Sequence, residues 1–154
     1  IGALITKNNE LYRQAVKFCQ GRLSAATLDQ IASAALYETR ADYFDAVRAE
    51  YKLRRDTTYR KLLEIPGVVC KPPEGAFYLM VQLPVDDADV FQKWLLTDFS
   101  DQGETIMFAP GQGFYATTGR GKNEIRIAYV LKQADLERAM DILRIALEAY
   151  RAQS

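Results

Sequence analysis

Arg126 is the residue whose type and setting point most directly to chemistry. It stands inside Glu124-Ile125-Arg126-Ile127-Ala128, a segment that alternates like a half-buried strand. A guanidinium between branched apolar neighbours is costly to bury unless paired. Its planar fork matches a carboxylate, which it can hold by two parallel hydrogen bonds. The same pattern also describes a structural ion pair or an arginine on an exposed sheet face. From spacing alone, that structural assignment is the simpler one.

The other candidates are weaker on residue type alone. Gly75 and the loop Pro110-Gly111-Gln112-Gly113 offer close backbone approach or positive φ, which serves either a ligand-facing turn or an ordinary connection. Gly111-x-Gly113 does not open a helix in the way a phosphate-binding loop requires. Gly119-Arg120-Gly121-Lys122 reads as a hairpin turn before an anion site. Tyr78, Tyr115 and Tyr129 carry phenols beside predicted strands, where packing is the commoner role. A covalent-catalysis lysine needs an apolar pocket that lowers its pKa. Lys7, Lys17, Lys52, Lys61, Lys71, Lys93, Lys122 and Lys132 all fall near turns, helix ends or charged helix faces, so none is a good candidate.

Composition excludes several classes. The 154 residues contain no histidine, which removes Ser-His-Asp and Cys-His catalysis within this chain and disfavours zinc. Cys19 and Cys70 lie among apolar neighbours without metal-ligand spacing, and read as reduced, buried thiols. Twenty basic residues balance twenty acidic ones, so bulk charge favours neither nucleic acid nor an anionic membrane. No apolar run approaches the ~20 residues of a bilayer span. With 49% apolar and 26% charged residues, the chain has material for a globular core.

The elements that must position these residues follow from periodicity. Ile1 to Thr6 reads as a buried strand. A strand starting at residue 1 without Met carries the expectation that the chain was cut from something longer. Asn8 or Asn9 caps a helix through Leu11, Ala15, Val16 and Cys19, ended by Gly21. A second helix begins near Ser24. Thr27 and Gln30 have capping-box spacing, and the stripe Leu28, Ile31, Ala32, Ala35, Leu36 predicts cover on more than one side. A charged helix runs from about Asp42 to Glu64 and stops at Ile65-Pro66-Gly67. Strands are expected at 68–70, 76–83, 105–109 and 124–130. Asp86 or Asp87 caps an intervening helix carrying Val90, Phe91, Trp94 and Leu95 on one face. In the last strand Ile125, Ile127 and Tyr129 face one side, and Glu124, Arg126, Ala128 and Val130 the other. The final helix, 134–152, carries Leu136, Met140, Leu143, Leu147 and Tyr150 at helical spacing. This order predicts an α+β domain with a small, mixed or antiparallel sheet covered by helices.

Five segments in order resemble one family. Arg54-Arg55-Asp56 resembles its R-R-D on a long helix. Ile65-Pro66-Gly67-Val68 resembles its I-P-G-V helix exit. Pro73-Glu74-Gly75-Ala76-Phe77-Tyr78 resembles its P-x-G-A-F-Y strand. Ala109-Pro110-Gly111 with Phe114 is similar to its A-P-G-x-x-F loop, and Glu124 to Ala128 to its I-R-I/L-S/A strand. The family is the class I/II, fold-type I aminotransferases that depend on pyridoxal 5'-phosphate (PLP), of the aspartate aminotransferase type. The resemblance spans the whole chain.

The resemblance implies roles. Arg126 would bind the substrate's α-carboxylate, with Gly75 and Phe77 near the substrate. Ile1-Gly2 would be the tail of the G-x-R-x-G element that follows the Schiff-base lysine, so that lysine would lie upstream of Ile1. No catalytic, cofactor-binding or metal-binding residue is then expected in this chain. Residues 1–23 would be a remnant of the large PLP-binding domain, 24–41 an interdomain helix and 42–154 the C-terminal small domain. The whole protein would be a cytoplasmic homodimer moving an amino group from an aspartate-like amino acid to a 2-oxo acid. The piece alone would bind no PLP and be inactive. Two other readings stay open: an independent α+β ligand-binding or interaction module, and the small domain of another fold-type I enzyme, a lyase or decarboxylase.

Overall fold

The computed structural model describes residues 1–153. They form two compact units, 1–45 and 46 onward.

The first unit is helical. Asn8 caps α1 (Asn9–Arg22), its side-chain oxygen accepting from the N–H groups of Glu10 and Leu11, each at 3.0 Å. The helix runs through Gly21, and the left-handed residue after it is Leu23, φ 69°. A helix α2 (Thr27–Ala34) follows, then a 3-10 turn, Ala35–Glu38. The expected capping box does not form: α2 starts at Thr27 itself, and the Gln30 amide donates to the Ala25 carbonyl instead. Residues 1–6 are not a strand, because no described segment pairs with their backbone. Nor are they buried: Ile1 and Leu4 are exposed and Ile5 is 93% exposed. Leu28, Ile31 and Leu36 are exposed too, so the expected cover of α2 is not supplied by the described residues.

The charged helix α3 (Ala41–Leu63) carries i, i+4 ion pairs between Lys52 and Asp56 and between Arg54 and Glu50. Beyond it, β1 (Val69–Cys70), β2 (Tyr78–Gln82), β3 (Ala109–Pro110) and β4 (Glu124–Ala128) make one sheet in the order β1-β2-β4-β3. Every pairing is antiparallel. Leu79 and Val81 of β2 and Ile125 and Ile127 of β4 point to the core side. They meet Phe91 and Leu95 of α4 (Ala88–Thr97) and Leu136, Met140, Leu143 and Leu147 of α5 (Gln133–Arg151) in one cluster. Full burial of each such side chain contributes about 1.5–3 kcal/mol. Asp87 caps α4, accepting from the Asp89 and Val90 N–H groups, and Val90 turns out to face solvent.

The strand expected at 105–109 shrinks to Ala109–Pro110. The Phe108 N–H donates to the buried Gln92 side chain at 2.8 Å, and the Thr105 hydroxyl donates to the Leu95 carbonyl at 2.8 Å. Helix α4 therefore captures this segment before β4 can. Pro110, which has no N–H, adds no further donor to the ladder. The fold is α+β with an antiparallel sheet covered by helices on one face.

Candidate functional site: a guanidinium on the open sheet face

Only one face of the sheet is covered. On the other stand Tyr78, Met80 and Gln82 from β2 and Glu124, Arg126 and Ala128 from β4. Arg126 sits centrally, registered against Met80 on one side and Ala109 on the other. Its guanidinium carbon lies 5.0 Å from the Tyr78 ring centre and 4.7 Å from that of Phe114. Two aromatic rings thus bracket the cation, a contact that arginine's flat group favours.

No carboxylate among the described residues pairs with Arg126. The acid nearest in sequence on its face is Glu124, and that one is engaged: it accepts a short hydrogen bond from the Tyr115 hydroxyl. This bond is also the main reason the Tyr115 phenol is pushed above its usual pKa. Arg126 is half-buried, and a half-buried guanidinium without a counter-ion invites an anion. It borders an open groove of about 780 Å³ whose other lining includes Met107, Phe108, Leu131 and Asp135.

Gly75 and Phe77 stand elsewhere. Gly75 borders a second hollow with Tyr78, Met80 and Tyr115, and has open space where a side chain would be. It needs no positive φ; that conformation falls on Ala76, at φ 62°. Phe77 is exposed and packs against Tyr51 and Tyr78. Arg126, Gly75 and Phe77 do not line one cavity; Tyr78 links them, touching Phe77 on one side and Arg126 on the other. Gly111 does meet a close approach, since a Cβ there would stand 2.8 Å from the Glu124 carbonyl oxygen. Tyr129 is core, as packing predicts.

Residue types alone did not single out the two rings on Arg126. The usable signal was β-sheet geometry: Tyr78 opposes Ala128, which puts it diagonal to Arg126 on the same face. Phe114 comes from the 3-10 turn Gln112–Phe114, whose placement no periodicity reports.

The sequence profile described as "Aminotransferase class I and II" matches residues 1–143. This chain belongs to that family. It is 30% identical to the aspartate aminotransferase of Bacillus subtilis (strain 168) over 131 residues, which are 80% of this chain and 31% of that protein. It is 32% identical to the aspartate aminotransferase of Musicola paradisiaca (strain Ech703) over 135 residues, 84% of this chain and 31% of that one. Among solved structures, the alanine aminotransferase of Pyrococcus furiosus shares 28% identity at a TM-score of 0.69, covering 92% of this chain and 36% of its own. The α-aminoadipate aminotransferase of Thermus thermophilus, complexed with N-(5'-phosphopyridoxyl)-L-leucine, has the same fold at a TM-score of 0.73, with 24% identity, covering 94% and 37%. The chain spans about a third of the length of the curated relatives named here.

In this segment of a class I and II aminotransferase, the lysines are exposed or paired. Lys7, Lys17, Lys52, Lys71, Lys93, Lys122 and Lys132 are exposed. Lys61 is half-buried but paired with Asp141 at 2.5 Å. No lysine among the described residues is both buried and without an acid partner. Among the described residues no group of His, Cys, Asp and Glu suits a metal. Both cysteines are free, but neither is buried as expected: Cys19 is exposed and Cys70 half-buried. Burial pushes the Cys70 thiol above its usual pKa, away from reactive thiolate. No helix among the described residues is long and apolar enough to cross a membrane.

Proposed function

We propose that this chain is the substrate-carboxylate-binding part of a PLP-dependent aminotransferase. Residues 1–23 would then be a remnant of the large domain, 24–41 the connection and 42–154 the small domain. The whole protein would be a homodimer that takes an amino group from an aspartate-like amino acid and passes it to a 2-oxo acid. The carrying observation is Arg126: a half-buried guanidinium, flanked by two rings, with no acid of its own among the described residues.

In this reading Arg126 binds the α-carboxylate through a bidentate pair, and Tyr78 and Phe114 hold the fork flat while shielding it from water. The carboxylate is common to every α-amino acid, so Arg126 fixes orientation and leaves side-chain choice to other residues. Named relatives are aspartate aminotransferases, which supports an aspartate-like donor. PLP, held by residues outside these 154, would supply the electron sink of the reaction.

The test uses the protein as its gene encodes it, loaded with PLP. Arg126→Leu should lower kcat/KM for the amino-acid donor by roughly a hundredfold or more, about 3 kcal/mol, as expected for losing one side of a desolvated charge pair. Arg126→Lys should recover only part of it, because a point charge lacks the fork. Activity within about threefold of the parent in Arg126→Leu would refute the reading. The 154-residue chain alone, mixed with PLP and an amino acid, should show neither bound-cofactor absorbance nor turnover.

A further inference from the structure

The loop between β1 and β2 carries Gly75 and Phe77, and its backbone is held from two sides. The buried Tyr129 hydroxyl donates to the Ala76 carbonyl at 2.9 Å. The Tyr129 N–H donates to the Phe77 carbonyl at 2.9 Å. From α3, Arg55 Nη1 donates to the Pro73 carbonyl at 3.3 Å. Arg55 is itself oriented by Asp56, which accepts from its Nε at 2.8 Å and its Nη2 at 2.6 Å, while Lys52 holds the other Asp56 oxygen at 2.6 Å.

Between these anchors Ala76 adopts φ 62°, a conformation that alanine takes only where its surroundings impose it. Burial keeps the Tyr129 phenol protonated, so it stays a donor. The turn matters because its exit is Phe77-Tyr78, and Tyr78 is one of the two rings on Arg126.

We propose that Tyr129 and Arg55 are positioning residues that impose the left-handed turn at Ala76 and thereby fix its Phe77-Tyr78 exit, so that the Tyr78 ring lies against Arg126. This deepens the carboxylate-binding reading and rests on it for its catalytic consequence; the turn itself can be tested without it.

Tyr129→Phe keeps the buried ring and deletes one donor. Exchange of the Tyr129 N–H, which donates to the Phe77 carbonyl of this turn, should rise roughly tenfold, the scale of one hydrogen bond, with β2 and β4 amides unchanged. In the PLP-loaded encoded protein, KM for the amino-acid donor should rise roughly tenfold as well, with kcat moving less. Adding Ala76→Gly should bring KM back to within about twofold of the parent, because glycine adopts this φ unaided. Arg55→Gln should act in the same direction, more weakly. Unchanged or uniformly raised exchange overturns the proposal, as does a KM defect that Ala76→Gly leaves in place. If Arg126→Leu leaves donor kinetics intact, the carboxylate reading fails, and the exchange result still decides the turn.

Discussion

Residues 1–45 and residues 46–153 are both rich in apolar side chains, yet only the second set makes a core. No residue before Thr57 is buried. In the first unit Phe18 is 82% and Leu28 79% exposed, whereas Phe91 and Leu143 in the second are fully buried. Helical amphipathicity is present in both. A sheet face to receive it is present in only one. An apolar stripe records that a helix is made to be covered, and the covering surface has to be found separately. The two aspartate aminotransferases named above are about three times the length of this chain.

The sharpest break of this comparison is a pair of truncations. Phe91→Ala should cost about 3–5 kcal/mol in denaturant unfolding, because it opens a cavity among Trp94, Phe108 and Tyr150. Ile31→Ala, at 65% exposure, should change it by no more than ~0.5 kcal/mol. Equal costs would show that the first unit has a core after all.

A smaller effect comes from the helix caps. Asp87→Ala should cost about 1 kcal/mol at pH 7 through loss of the α4 cap. The Val90 N–H is the main cause that holds the Asp87 carboxyl below its usual pKa, with Asp89 and Lys122 also lowering it. A depressed folded pKa means that this stability is present above the unfolded value of about 3.9 and is lost as pH falls through the folded pKa. The difference between parent and Asp87→Ala should therefore shrink below about pH 4, and a pH-independent difference would contradict the role of charge.

At Arg126 the expected stability effect is as small as at Ile31. With no ion pair to lose among the described residues, Arg126→Leu should shift unfolding by no more than ~0.5 kcal/mol while removing carboxylate binding. That separation of stability from function distinguishes the open sheet face from the covered one.

How far the sequence reaches follows the same division. The stripe of α5 and the alternation of β4 are legible because each periodic pattern is buried against a neighbour in the same chain. The order of elements and the two faces of β4 follow from them. Residues 1–6 mislead because apolar composition mimics a strand while pairing depends on a partner. The segment 105–108 misleads because Gln92 and Leu95 on α4 outcompete β4 for its polar groups, a contact no local pattern encodes. At the site, Arg126 stands out as an unusual residue in its strand. Its brackets, Tyr78 and Phe114, become visible only when strand register and a 3-10 turn are known, and the strain falls on Ala76 where glycine chemistry pointed to Gly75.

The most direct measurement is a cycle that deletes each half of the contact in turn. In the PLP-loaded encoded protein, kcat/KM is compared for an amino acid and for the amine lacking its α-carboxylate, each with the parent and with the Arg126→Leu variant. The account predicts that the parent prefers the amino acid by roughly a hundredfold and that the variant loses most of this preference, a coupling of about 2 kcal/mol or more. An undiminished preference in the variant would contradict it and place the carboxylate on another residue.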